Sequence, residues 1–230
     1  MKQILVTGAS RGIGRAVAVR LSAPGRTIWL HGRDRDALEE TCKVVVEAGG
    51  KPIVILADLA DDEQLSQMID RLSAQQFDLV VNNAGLAHVE NLNDISLEHW
   101  QQSFAVNVTA PFRLIQKVTP SMPPGSAVVS ILSSAAKTGF PGWSSYCMSK
   151  FALEGFTRSV REELRLNGIR VINVYPGATD TDIWNDIAGS WPREKMMPAS
   201  EVAEAVAYAV ERPGDVLIES IDLGGLGGNL

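Results

Sequence analysis

The sequence predicts an α/β fold, a single domain with a doubly wound, parallel seven-stranded sheet flanked by helices on both faces. Three observations carry that expectation. Short β-branched runs alternate with longer segments of helical period from one end of the chain to the other. Several of these runs are apolar throughout, as strands buried on both faces are. The length of 230 residues suits one domain, and no linker, low-complexity tract or repeat beyond the β-α alternation interrupts residues 1–230.

The first strand is Ile4–Thr7, an apolar and β-branched run that ends in a glycine-rich turn, and helix Ile13–Ala23 follows. Strand Thr27–Leu30 and helix Asp36–Ala48 repeat the unit. Strand Pro52–Ala57 precedes helix Glu63–Ala74, where Asp61 and Asp62 supply an anionic start and Leu65, Ile69 and Leu72 make one apolar stripe. Strand Leu79–Asn82 leads to a helix over Leu97–Val118, capped by Ser96 three residues before His99. Strand Ala127–Leu132 is followed by helix Ser145–Leu166, with Leu153, Phe156, Val160 and Leu164 at core spacing and a stop at Asn167-Gly168. Strand Arg170–Tyr175, helix Ser200–Glu211 and strand Val216–Ile221 complete the set. Right-handed crossovers between these strands predict the sheet order 3-2-1-4-5-6-7.

Composition excludes several classes. Apolar residues make up 45% and charged residues 21%, which argues against disorder, collagen and disulfide scaffolds. A net charge of −6 argues against a nucleic-acid partner, which usually demands a basic patch. Cys42 and Cys147 offer neither a disulfide framework nor metal-ligand spacing and read as small buried thiols of a reducing compartment. No apolar run approaches the roughly 18–20 residues of a membrane span, and no signal-peptide pattern precedes Gln3, so the expected location is the cytoplasm.

The turn Thr7-Gly8-Ala9-Ser10-Arg11-Gly12-Ile13-Gly14 lies between a strand and a helix, the context in which glycines let the backbone approach a pyrophosphate. Its Gly-x-x-x-Gly-x-Gly spacing departs from the common Gly-x-Gly-x-x-Gly fingerprint. With this turn, the doubly wound sheet becomes a Rossmann-type dinucleotide domain. At the end of the second strand, Gly32 stands where an acidic residue reads a ribose 2′-hydroxyl in NAD enzymes, with Arg33 beside it and Arg11 in the glycine turn. Two guanidiniums suit a 2′-phosphate, so the expected cofactor is NADP(H). Asp34 leaves two roles open, ribose contact or capping of the next helix.

Tyr146 and Lys150 are four residues apart in a predicted helix, so they share a face, and a cation there can lower a phenol pKa. Asn82-Asn83-Ala84-Gly85 follows the fourth strand, and Pro176-Gly177-Ala178-Thr179-Asp180-Thr181 follows the sixth. In these four motifs, in their order and elements, the chain resembles the short-chain dehydrogenases/reductases over nearly its whole length. That resemblance implies a catalytic set of Asn107, Ser133, Tyr146 and Lys150. Tyr146 would exchange the proton with the substrate oxygen, Lys150 would hold the nicotinamide ribose, and Ser133 would stabilise developing charge. Asn107 would break its helix locally and hold a water beside Lys150. Ser133 rests on the family's usual thirteen-residue spacing before the tyrosine, with the adjacent Ser134 as fallback. The resemblance also implies cofactor contacts from Gly8, Ser10, Gly12, Ile13, Gly14, Asp58, Asn83, Ala84, Gly85, Pro176, Gly177, Thr179 and Thr181, besides Arg11, Arg33, Tyr146 and Lys150.

A short lid is expected over residues 182–198, where Trp184, Trp191, Met196 and Met197 either cover an apolar substrate or pack inward. Trp143 and His88 are further candidates for the substrate wall. No Arg or Lys is clearly placed for an anionic substrate, so a small apolar or aromatic ketone, aldehyde or diketone is expected. His31, His88 and His99 lack ligand spacing, no metal is expected, and His31 reads as an edge-of-strand residue without a partner, with a place near the 2′-phosphate as the alternative. Family resemblance implies a homodimer or homotetramer, and Ala152, Gly155 and Ser159 form a small-residue stripe suited to helix contact or to packing on the sheet. The glycine-rich end, residues 224–230, reads as a tail or a subunit contact. An NAD-linked alcohol dehydrogenase and a non-catalytic NADP-binding sensor are the alternatives.

Overall fold

Alternate residues of the first strand, β1 (Gln3–Val6), go to opposite sides of the sheet: Ile4 and Val6 join one buried cluster, and Leu5 joins the other. The same division runs through every central strand and defines two helical layers. The computed structural model describes residues 1–185, 187, 189–213 and 216–225. After β1 come α1 (Gly12–Arg20), β2 (Thr27–Gly32), α2 (Arg35–Glu47), β3 (Lys51–Leu56), α3 (Asp62–Ser73) and β4 (Leu79–Asn82). The second half contains α4 (Leu97–Phe104), α5 (Ala110–Val118), β5 (Ala127–Ile131), α6 (Ser144–Arg165), β6 (Arg170–Pro176), β7 (Thr179–Asp180), β8 (Met197–Pro198), α7 (Ala199–Val210) and β9 (Ser220–Leu223).

Seven parallel strands pair in the order β3-β2-β1-β4-β5-β6-β9, the order expected from the sequence with β9 as the seventh member. This is a single Rossmann-like α/β domain. Helices α1, α2 and α7 pack on one face through Val17, Leu38 and Val206, while α3, α5 and α6 cover the other through Leu65, Leu114 and Leu164. Asp61 caps α3 and Ser96 caps α4 as their positions predict, and Gly168 takes φ +71° beyond α6. The winding reverses between β1 and β4, so the loops leaving those strands open a crevice at their carboxyl ends.

Two local features differ from expectation. The last strand is Ser220–Leu223 rather than Val216–Ile221; it is an edge strand, and its ladder with β6 begins at Asn173 paired with Ser220. Thr179 and Asp180 pair with Met197 and Pro198 in a two-stranded ladder that no periodic pattern announced. The local break expected at Asn107 is present: between α4 and α5, Ala105–Thr109 forms a π turn, with Ala110 N–H donating to the Ala105 carbonyl. Pro111 lacks the N–H that would bond the Asn107 carbonyl, which accounts for the widened turn there. Gly155 and Ser159 are exposed, whereas Leu153 and Thr157 are buried, so that part of the small-residue stripe faces outward from the fold.

Candidate active site

The crevice is a cleft of about 300 Å³ lined from both sides of the switch point. Thr7 laces its two edges together: its hydroxyl accepts N–H bonds from Asn83 and Ala84, each at 3.0 Å, while Asn83 Nδ2 donates to the Thr7 and Gly8 carbonyls. Gly8 and Gly12 turn the chain at φ +64° and +55°. A Cβ on Gly14 would come within 2.1 Å of the Gly8 carbonyl oxygen and 2.5 Å of Asn83 Nδ2, so the turn closes only around glycine. No side chain caps α1 among the described residues, leaving its first N–H groups and dipole for an anion. These features fit a dinucleotide pyrophosphate. Arg15, which the motif reading passed over, supports the turn by donating to the Ser10 carbonyl and to the Thr41 hydroxyl.

At the adenosine end, Gly32, Arg33 and Asp58 line the cleft together with Arg11. Arg33 lies 3.6 Å from the Asp58 carboxylate and remains exposed. Asp34 resolves to the capping role, since its carboxylate accepts the Ala37 N–H at 3.0 Å. His31 departs from expectation. It is 2% exposed, Gly8 N–H donates to its Nδ1, and Nε2 sits 3.2 Å from the Ala57 carbonyl oxygen. The ring is buried because its strand is the second in from the sheet edge, with β3 outside it and the glycine turn above.

Tyr146, Lys150 and Ser133 line the opposite wall. Ser133 follows β5 in extended backbone, accepts the Ala135 N–H, and hydrogen-bonds the Tyr146 side chain, whereas Ser134 begins a short helical turn. Burial pushes the Tyr146 phenol up to about 12, against the lowering hydrogen bond from Ser133. Burial also brings the Lys150 ammonium down to about 8. The phenol is thus raised by desolvation rather than lowered as expected from Lys150. Lys150 Nζ donates to the Ile131 carbonyl at 3.0 Å. Asn107 is 1% exposed, bonds the backbone of Leu86 in both directions, and donates to the Ser149 hydroxyl, which in turn donates to the Tyr146 carbonyl. Neither Ser149 nor Leu86 carried a signal in the sequence.

Of the expected cofactor residues, Ser10, Ile13, Ala84, Gly85, Pro176, Gly177, Thr179 and Thr181 also reach the cleft, while Gly14 lies behind the turn. Thr181 packs its side chain against Gly12. The substrate end is apolar: Leu86, Phe140, Trp143, Ile183, Trp184 and Ile187 surround Tyr146. Trp143 meets the Tyr146 ring at 5.6 Å and Trp184 at 5.8 Å, both edge to face. Two expectations are corrected here. Trp191 does not line the cleft but backs Trp184 at 4.9 Å, and its N–H donates to the Ile187 carbonyl. His88 points its ring at His99, stacked at 4.0 Å, and meets Gln102 at 2.9 Å, so these partners draw it away from the substrate wall. Within the expected lid, residues 186 and 188 lie outside the described residues, as do residues 226–230 of the glycine-rich end. Among the described residues, no His, Cys, Asp and Glu cluster suits a metal ion, and no helix is long and apolar enough to cross a membrane.

A parallel sheet that opens at a glycine turn, with a Tyr-Lys pair across the cleft, matches the class to which the motifs point. The chain belongs to the short chain dehydrogenase family, whose profile matches residues 2–190. It is 33% identical over 227 residues to a 3-oxoacyl-(acyl-carrier-protein) reductase of Synechocystis sp., covering 93% of this chain and 91% of that protein. A short chain dehydrogenase from Burkholderia cenocepacia, solved in complex with NADP, superposes with a TM-score of 0.88 at 31% identity and covers 97% of this chain and 96% of its own. Landomycin C-6 ketoreductase LanV, solved with NADP and rabelomycin, gives a TM-score of 0.86 at 29% identity, covering 97% and 95%.

Proposed function

We propose that the chain is an NADP(H)-dependent carbonyl reductase acting on small apolar or aromatic ketones, aldehydes or diketones and on the corresponding alcohols. The observation that carries this reading is the meeting of Ser133, Tyr146 and Lys150 across one cleft from an uncapped glycine turn. Bound NADPH supplies the hydride for reduction. Tyr146 gives its proton to the carbonyl oxygen in that direction and takes it from the alcohol in the other. Ser133 donates a hydrogen bond to the same oxygen as negative charge develops. Lys150 holds the ribose hydroxyls and favours the phenolate left behind, and Asn107 fixes the Leu86 loop and Ser149 behind the Tyr-Lys pair.

The adenosine end favours NADPH over NADH, because Arg33 and Arg11 flank the cleft and the one nearby acid on the β2–α2 turn, Asp34, is engaged as a cap. The two NADP-bound structural relatives support the same cofactor. Residues 182–198 act as the lid, and the aromatic wall sets the apolar preference. Exposed Trp100, Phe104, Phe112 and Phe151 on α4, α5 and α6 support a homodimer or homotetramer, and the cytoplasm remains the expected location. Initial rates of NADPH and NADH oxidation over aliphatic, aromatic and vicinal-diketone carbonyls test the reading. Consumption of NADPH with apolar or aromatic members is expected; a large NADH preference, or binding without turnover of any carbonyl or alcohol, overturns it.

A further inference from the structure

His31 borders the cofactor cleft but has no task in the proposed reaction, and its surroundings supply one. It is the fifth residue of β2, between the ends of β1 and β3. Gly8 N–H donates to Nδ1 at 3.3 Å, and Nε2 lies 3.2 Å from the Ala57 carbonyl oxygen. The polarity of these partners decides the state of the ring. A backbone N–H can only donate, so Nδ1 accepts and carries no proton; a carbonyl oxygen can only accept, so the proton is on Nε2. Burial acts in the same direction, holding the imidazole down at about 4 against the raising effects of the Ala57 hydrogen bond and Asp58, with Arg33 lowering it further.

We infer that His31 is a positioning residue for the cofactor turn: its neutral, Nε2-protonated ring ties Gly8 to Ala57 and so fixes the glycine turn relative to the neighbouring Asp58. The backbone of His31 takes part as well, since its carbonyl accepts the Ala9 N–H at 2.8 Å. On the far side of the same residue, the Thr41 hydroxyl donates to the Ala9 carbonyl at 3.0 Å. The turn is thus held from two sides, and of these contacts the His31 ring is the one that bridges it to the segment after β3 that carries Asp58. This inference rests on the dinucleotide reading proposed above.

The test combines a tautomer measurement with cofactor binding. In wild-type protein with 15N-labelled histidine, the His31 ring is expected to give the neutral Nε2–H pattern, constant between about pH 5 and pH 8. His31→Leu, which keeps much of the volume and loses both bonds, is expected to weaken NADPH binding about tenfold. Its kcat at saturating NADPH and its KM for the carbonyl should stay within about twofold of wild type. His31→Gln can accept from Gly8 and donate to Ala57, and is expected to restore most of the affinity. His31→Asn, too short to reach both partners, replaces His31→Leu if that variant does not fold. A proton on Nδ1, a ring that titrates within that range, equal losses in the Leu and Gln variants, or kcat falling as far as affinity overturns the inference. Wild-type protein that binds no NADPH overturns the cofactor reading and this inference together; wild-type binding with an unaffected His31→Leu overturns this inference alone.

Discussion

Lys150 Nζ lies 5.6 Å from the centre of the Tyr146 ring, one turn along the same face of α6, and its ammonium is anchored by the Ile131 carbonyl at the end of β5. The strand that leads into Ser133 thus also anchors Lys150, and Ser133 itself bonds the Tyr146 side chain. One loss of proton transfer should therefore be separable from cofactor binding. Tyr146→Phe keeps the ring that packs on Trp143 and removes only the hydroxyl. Its kcat is expected to fall about 10²- to 10⁴-fold, with NADPH affinity within about twofold of wild type. A variant with undiminished turnover removes Tyr146 from the mechanism.

Burial of the Tyr-Lys pair also predicts how stability depends on pH in the cofactor-free protein. Lys150 sits at about 8 in the fold against an ordinary 10.5, so between these values the unfolded chain holds the proton and the native one does not. Stability should rise with pH over that window, by roughly 1–3 kcal/mol. Tyr146, raised to about 12 from 10.0, acts oppositely: the native chain keeps its proton longer, and stability falls between those two values. Denaturant unfolding at stepped pH measures both trends. Lys150→Met should lose the rise and keep the fall; superimposable curves for Lys150→Met and wild type refute the assignment.

Gly14→Ala probes the glycine turn directly. The added Cβ would meet the Gly8 carbonyl oxygen at 2.1 Å, a backbone atom that cannot move aside without opening the Asn83 contacts. A loss of about 1–3 kcal/mol in stability is expected, along with loss of measurable NADPH binding. Thermal unfolding and calorimetric titration report the two effects. A variant as stable as wild type would mean that the turn has another low-energy form.

Much of this fold was legible because the central strands are buried on both faces and so read as unbroken apolar runs, from Ile4-Leu5-Val6 to Val171-Ile172. The edge strand was less so: β9 is only partly buried, and its pattern does not locate the start at Ser220. Tyr146, Lys150 and the glycine turn were visible as spacings within single elements. His31 was not, because its role depends on Gly8 and Ala57, which tertiary pairing alone brings to it. The same reason hid Ser149 behind Asn107 and placed Trp191 behind Trp184 rather than at the cleft.

Arg33→Ala should change cofactor choice more than stability. The Arg33 side chain is 64% exposed, and an ion pair with Asp58 at that exposure contributes only about 0–1 kcal/mol to folding. A 2′-phosphate offers it a charge-assisted hydrogen bond, so NADPH affinity is expected to drop about 10- to 100-fold while NADH affinity changes by less than about twofold. Titrations with both cofactors decide this. Equal losses for the two assign Arg33 a role elsewhere than the 2′-phosphate.

Trp184 is the member of the aromatic wall whose removal should redefine the substrate. Its indole N–H donates to the Thr179 carbonyl at 2.8 Å, which pins the ring over the cleft, while Trp191 supports it from behind and Trp143 meets it edge to face. Trp184→Ala removes a large apolar surface from the substrate end and leaves the glycine turn and the Tyr-Lys pair untouched. KM for bulky aromatic ketones is expected to rise about tenfold or more, since buried aromatic contacts dominate such sites. KM for small aliphatic carbonyls and NADPH affinity should remain within about twofold of wild type. Trp191→Ala, acting from behind the wall through Trp184 and Trp143, should move the same constants in the same direction and by less. A uniform change across aromatic and aliphatic substrates in both variants assigns the tryptophans to the support of the 182–198 segment rather than to substrate recognition.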